Sequence, residues 1–209
     1  MYRSSYGRIV KSVKRASTLS ATSLKLPRIV VVGSESAGKS STLERIAGVS
    51  LFPRDAKICT RMPIRLSLIN DDDAPRASVT LKFPGREDQS VHESQAAAAI
   101  GKLMRQVVPP GSGVIDTELT VEIRKASVPT LDLIDLPGIV AASIEGEPAD
   151  MMQKTRAITE RYLRDSNTIV VAVVPANITR VRDSQAIQLV QACGKEAMTL
   201  GVLAKADLA

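Results

Sequence analysis

Gly33-Ser34-Glu35-Ser36-Ala37-Gly38-Lys39-Ser40 reads G-x-x-x-x-G-K-S, a spacing suited to cradling a chain of phosphates. The glycines let successive backbone N–H groups curl round an anion with no side chain in the way. Lys39 brings a point charge to the outer phosphates, and the Ser40 hydroxyl is a ligand for Mg²⁺. Far downstream, Asp135-Leu136-Pro137-Gly138 offers a carboxylate that can hold Mg²⁺ through water and, at Gly138, an N–H facing the terminal phosphate. Thr60, within Ile58-Cys59-Thr60-Arg61-Met62-Pro63, has a hydroxyl for Mg²⁺ and a backbone able to hold a water in line with that phosphate. In Lys205-Ala206-Asp207, Asp207 can accept from the guanine N1–H and N2–H₂, a pair adenine lacks, while the Lys205 stem lies along the base. Apart, the downstream pieces are weak: Asp-Leu-Pro-Gly also makes an ordinary turn, and a loop threonine alone says nothing. In this order they describe guanine-nucleotide hydrolysis, with Ser40, Thr60 and Asp135 as metal ligands, and not generic ATP chemistry.

Such residues must be held by strand ends and helix starts, and the chain supplies both. Arg28-Ile29-Val30-Val31-Val32 is a β-branched run that reads as a buried strand (27–32), and a helical pattern over 39–48 follows the glycine loop. A helix N-terminus adds unpaired donors and a positive dipole end for an anion. A loop over 49–61, with Pro53 and Arg54, leads to strands over 61–69 and 78–83, separated by a turn at Asn70-Asp71-Asp72-Asp73. The pattern predicts a long Ala-rich helix over 87–108, ended by Pro109-Pro110-Gly111, then strands over 114–124 and 130–136. A helix over 149–164, a buried strand over 168–174, a helix over 183–193 capped by Asp183, and a strand over 198–204 complete the chain. Strands alternating with helices predict an α/β fold with a doubly wound, mostly parallel sheet, interrupted between 61 and 124 by an inserted antiparallel section.

Composition narrows the class. With 44% apolar residues and 2% aromatics in 209 residues, one domain must build its core from Val, Ile, Leu and Ala. No apolar run is long enough to cross a membrane. Cys59 and Cys193 fit no metal spacing and read as reduced thiols of a cytosolic protein, with Cys193 a small core residue. His92, the single histidine, reads as a solvated surface residue. Of the +6 net charge, Arg3, Arg8, Lys11, Lys14, Arg15, Lys25 and Arg28 contribute +7 with no acid among residues 1–28, so the rest carries −1. The basicity belongs to an N-terminal arm, which argues against a general nucleic-acid surface. In that arm Tyr2, Tyr6, Ile9, Val10, Val13, Ala16 and Leu19 form a helical stripe. Three readings fit it: packing on another helix, which we favour, an anionic membrane surface, or an organellar transit peptide.

Taken together, the chain resembles the GTPase domain of the dynamin superfamily over about residues 20–209. The resemblance rests on Leu26-Pro27 into Ile29–Val32, Ser36 to Ser41, Phe52-Pro53-Arg54, Cys59-Thr60-Arg61 with Pro63, and Asp135 to Ile139. Gly146 with Pro148 and Asp150, Pro175-Ala176-Asn177, and Lys205-Ala206-Asp207 extend it. It implies a P-loop GTPase domain over 26–209 beside a bundle-type arm over 1–25. It implies GTP/GDP contacts from Gly33, Ser34, Glu35, Ser36, Ala37, Gly38, Lys39, Ser40, Ser41, Arg54, Asp55, Asp135, Gly138, Lys205 and Asp207, with Glu35, Ser36, Lys39, Thr60 and Gly138 as the catalytic group. It further implies self-association through this domain, coupled in the intact protein to membrane remodelling, with microtubules as a second partner class and a cytoplasmic, peripheral-membrane location. A further strand, a last guanine-contacting loop, a stalk and a bundle helix are expected beyond Ala209.

The chain departs from the family pattern at three places. Glu35 stands where the family has a Gln that positions the attacking water. Its carboxylate is expected either to turn away to solvent, which we favour, or to act as a base on the water. Asp55-Ala56-Lys57 replaces a Gly-Ser-Gly that helps place a monovalent cation, so the Lys57 ammonium is a candidate substitute for that ion. Ala204 opens the base-reading motif in place of Thr or Asn.

Overall fold

The computed structural model describes residues 27–52, 60–73, 78–140 and 148–208. The N-terminal arm, Pro53, Arg54, Asp55, Lys57, Cys59 and Gly146 lie outside the described residues. The fold is an α/β sandwich built on one eight-stranded sheet. Its strands are β1 (Arg28–Val32), β2 (Ile64–Asn70), β3 (Ser78–Lys82), β4 (Gln89–His92), β5 (Leu119–Lys125), β6 (Leu131–Asp135), β7 (Thr168–Pro175) and β8 (Thr199–Ala204). They lie in the order β4-β3-β5-β2-β6-β1-β7-β8. The helices are α1 (Lys39–Ala47), α2 (Ala96–Val107), α3 (Met151–Leu163) and α4 (Gln185–Ala192).

Because strand side chains alternate between faces, β1 feeds two cores. Val31 joins Leu43 of α1, Ile100 of α2 and Leu133 on one face. Val30 and Val32 join Ile158 and Leu163 of α3 and Leu189 of α4 on the other. Both faces being covered, β1 and β7 read as continuous apolar runs. Each fully buried Val, Leu or Ile contributes roughly 1.5–3 kcal/mol relative to its exposed state.

Strand polarity then positions the chemistry. β1 is parallel to β6 and β7, with Val31 beside both Asp135 and Val171, so their carboxyl ends meet on one edge. β2 is antiparallel to β6, with Ile64 opposite Asp135. The residues just before β2 are thereby delivered to the carboxyl end of β6.

The structure corrects four expectations. Residues 89–92 are a strand, paired antiparallel to β3 from Leu81–Gln89 to Ser78–His92, and the helix starts only at Ala96. The turn after β3, with Gly85 at φ 76, folds the chain back, and a free ladder edge outweighs local helix preference. Residues 114–118 lie outside the strand that was expected to begin at Val114, since β5 begins at Leu119. Their backbone bonds to the segment ahead of β2 instead, as Ile115 N–H donates to Arg61 O at 3.0 Å. The inserted section is antiparallel at β3–β4 and β3–β5, yet it enters the sheet through a parallel β2–β5 pair. Asp183 ends a 3₁₀ turn, and Ser184 occupies the N-cap of α4 without a side-chain cap bond. His92 is exposed, as expected, and Cys193 is half-buried just after α4, packed on the core.

Candidate active site

The loop Gly33–Gly38 joins β1 to α1 at the edge where the strand ends meet. Space explains its composition. A Cβ on Gly33 would stand 2.7 Å from Val173 O, so only glycine fits against β7. Gly38 has φ 103 and caps α1, and a Cβ there would meet Ala204 Cβ at 3.0 Å. The loop is therefore wedged between the ends of β7 and β8. Lys39 is buried, and its Nζ donates to Gly33 O at 3.2 Å and Ser34 O at 3.0 Å, so the ammonium lies across the loop where a phosphate chain would lie. The first-turn N–H groups of α1, which lack intrahelical partners, open onto the same space.

The second wall is the stretch after β6. Ile139 N–H donates to Gly33 O at 3.1 Å, and Ser34 and Ile139 form a parallel bridge. Gly138 is pressed on Glu35 so closely that a Cβ would lie 2.6 Å from its Cγ and 2.8 Å from its Cα and N. Glu35 consequently lines the cleft half-buried, its stem in the space Gly138 leaves.

Asp135 ends β6 fully buried. Its Oδ2 accepts from Thr60 Oγ1 at 2.9 Å and Ser40 Oγ at 3.4 Å. Its Oδ1 is buried with no hydrogen-bond partner among the described residues. Burial pushes the Asp135 carboxyl above its ordinary value, against the opposing pull of Lys39, Thr60 and Ser40. A buried carboxylate with a spare oxygen and two hydroxyls beside it is an all-oxygen donor set. Among the described residues no three His, Cys, Asp or Glu side chains cluster as a metal cage. That combination fits Mg²⁺, which keeps waters and substrate phosphates as ligands and needs few protein groups.

A cleft of about 250 Å³ results, lined by Glu35, Ser36, Lys39, Ser40, Thr60 and Gly138 among others, with Lys205 at its far side. Of the expected site residues, the structure brings these together with Ala37, Gly38 and Ser41. Lys205 takes a left-handed backbone, φ 57, as β8 gives way to the short turn carrying Asp207, which is exposed and does not line the cleft. Arg54 and Asp55 lie outside the described residues.

Sequence reading missed Glu44. Its Oε1 accepts from the N–H of Leu51 at 2.7 Å and of Phe52 at 2.9 Å, anchoring the exit from α1. A solvent-facing acid on a helix gives no sign of such a role. The partners of Arg61 and Pro63, the residues just after Thr60, were missed too, because they come from residues 113–119.

The family model described as the dynamin family matches residues 29–206. Among curated proteins, the interferon-induced GTP-binding protein Mx of Dicentrarchus labrax is 32% identical over 186 residues, which cover 88% of this chain and 28% of the relative. The Mx protein of Epinephelus coioides is 33% identical, with 88% and 29% covered. Mx2 of Mus musculus is 34% identical over 188 residues, with 88% and 28% covered. The chain thus spans under a third of the length of these relatives. With the glycine loop and the strand-end lysine lining one cleft, the buried aspartate bonded to two of its hydroxyls, and the family match running through all of them, the chain belongs to the dynamin family and carries its GTPase domain.

Proposed function

We propose that this domain binds GTP and, with Mg²⁺, hydrolyses it. The observation that supports this best is the convergence on one cleft of Lys39, Ser40, Thr60, Gly138 and Lys205 from four separate stretches of chain, with Asp135 beneath the hydroxyls. In this reading Lys39 leaves its carbonyl partners to neutralise the outer phosphates, and the loop amides fix the chain of oxygens. Asp135 orients the Ser40 and Thr60 hydroxyls. The backbones of Thr60 and Gly138 hold a water in line, where positioning and charge stabilisation supply most of the rate. Mg²⁺, when bound, supplies positive charge to the phosphate oxygens. Asp207 reads guanine. We further propose that the protein self-associates through this domain and acts on membranes from the cytoplasmic side. No described helix is long and apolar enough to cross a membrane.

Guanine selectivity tests the reading. A carboxylate placed to pair with a base edge rejects the base that lacks those donors, so GTP should outcompete ATP by roughly a hundredfold or more. Asp207→Asn should remove most of that margin. Equal retention of labelled GTP and ATP by the unaltered chain would refute the guanine assignment.

A second reading, binding with little turnover, is favoured by one observation: Glu35 lines the cleft beside Gly138. An ionised carboxylate only accepts hydrogen bonds and repels the transferring phosphate, whereas a Gln donates to it. Glu35→Gln is expected to raise single-turnover hydrolysis roughly tenfold with GTP affinity little changed. A large loss of rate would instead make the carboxylate the base.

A further inference from the structure

Thr60 is bonded to Asp135 at the nucleotide cleft, and the residues that follow it are held from elsewhere. The residues behind it, Arg61 to Pro63, are bonded to a stretch far away in sequence. Ile115 N–H donates to Arg61 O at 3.0 Å, Leu119 N–H donates to Pro63 O at 2.9 Å, and Arg61 Nη1 donates to Gly113 O at 3.4 Å. The other side of this stretch bears on helix α3. Gly113, at φ 71, lies so close to its start that a Cβ would meet Met151 Sδ at 2.6 Å and Pro148 Cγ at 3.1 Å. Lys154 Nζ reaches Ser112 O at 3.4 Å. Farther along, Arg161 pairs with Asp116 at 2.6 Å, and Tyr162 Oη donates to Glu118 Oε2 at 2.9 Å. Glu118 in turn pairs with Arg65 of β2 at 2.8 Å.

Residues 111–119 are therefore tied to the Thr60 segment along one side and to α3 along the other. The chain that reaches α3 is the one that left the cleft at Gly138 and Ile139. None of residues 111–119 lines the cleft. From this we propose that residues 111–119 are a strap that positions Thr60, with Gly113 as the residue that sets its distance from α3. The proposal rests on the GTP reading above. Gly113 acts through Thr60, so it is a positioning residue. Two constraints meet there: the left-handed φ that favours glycine, and a gap to Met151 that a Cβ would fill only by displacing the methionine side chain. If the terminal phosphate draws Thr60 off Asp135, the Arg61 and Pro63 carbonyls move with it, and the strap must follow or lose its bonds.

Backbone hydrogen exchange on the whole chain tests this in three states: without nucleotide, with GDP and Mg²⁺, and with a non-hydrolysable GTP analogue and Mg²⁺. The analogue is expected to slow exchange at the Ile115 and Leu119 amides by about fivefold or more relative to GDP, alongside protection of Gly33 to Ser41. Strap amides that exchange alike in all three states, while Gly33 to Ser41 become protected, overturn the strap and leave GTP binding standing. Absence of protection at Gly33 to Ser41 removes the binding reading and the strap with it. Gly113→Ala adds a kinetic arm: single-turnover hydrolysis should fall about tenfold with GTP affinity held within about threefold, and Met151→Ala in that background should restore part of the rate. An unchanged rate in folded Gly113→Ala, or equal losses of rate and affinity, argues against positioning. If Gly113→Ala does not fold, the exchange comparison on the unaltered chain decides alone.

Discussion

Gly138→Ala is expected to leave a folded chain whose single-turnover GTP hydrolysis is lower by roughly a hundredfold, with affinity reduced far less. The new Cβ would stand 2.8 Å from the Cα and N of Glu35. Those are backbone atoms of the phosphate loop and cannot swing aside as a side-chain end can. The loop is also pinned from beneath, because Gly33 O accepts from Ile139 N–H at 3.1 Å, one residue beyond the substitution. One of the two walls must therefore shift by a good fraction of an ångström. The Gly138 N–H and the attacking water would lose register with the terminal phosphate, and misplacement of about 1 Å costs on the order of a hundredfold in rate. Lys39, Ser40 and the first turn of α1 lie beyond the contacted residue, so affinity is expected to suffer less than rate. A rate within about threefold of the unaltered chain would show that the two walls slide past each other freely. A circular-dichroism melt establishes that the variant is folded.

The second large effect runs in opposite directions for stability and for binding. Asp135→Asn should raise the melting temperature of the nucleotide-free chain and weaken Mg²⁺-dependent GTP binding. Burial raises the Asp135 carboxyl above its ordinary value of 3.8, so the native chain holds this proton to higher pH than the unfolded one. Its contribution to stability is then fully present below about that ordinary value and is lost as pH rises through the raised one. At pH 7 the charge is a cost to the fold. Asparagine keeps an oxygen for the Thr60 and Ser40 hydroxyls and exchanges an orphaned oxygen for an orphaned amide, so the charge is the main change. A rise of roughly 2–4 °C is expected at pH 7, the response of a chain this long to about 1 kcal/mol, and none near pH 3. Removing the carboxylate should lower Mg²⁺-dependent affinity by roughly 10–100-fold, as loss of an outer-shell partner of a metal does. Titration of labelled GTP with and without Mg²⁺ reads the second effect. A lower melting temperature at pH 7 would show that Lys39 and the hydroxyls more than offset the burial of this charge.

By itself the sequence determined the parts whose physics is local. The spacing of Gly33, Gly38, Lys39 and Ser40 names a phosphate loop because a tight glycine turn, a cation and a helix start are all consecutive in the chain. The β-branched run Ile29–Val32 marks a central strand because a strand covered on both faces has no polar positions. What only the tertiary structure decided is non-local. Residues 89–92 became strand because a ladder edge of β3 lay within reach, which no helical periodicity reveals. Thr60 meets Asp135 because β2 runs antiparallel to β6, and strand direction is set by the whole sheet. Glu35 lines the cleft because Gly138, a hundred or so residues away, leaves room for its stem. Residues 111–119 were read as a helix stop and a strand, whereas their bonds go to Arg61, Pro63 and α3. Backbone donors carry no record in the sequence of which distant carbonyl they will find, so that choice falls to the packing.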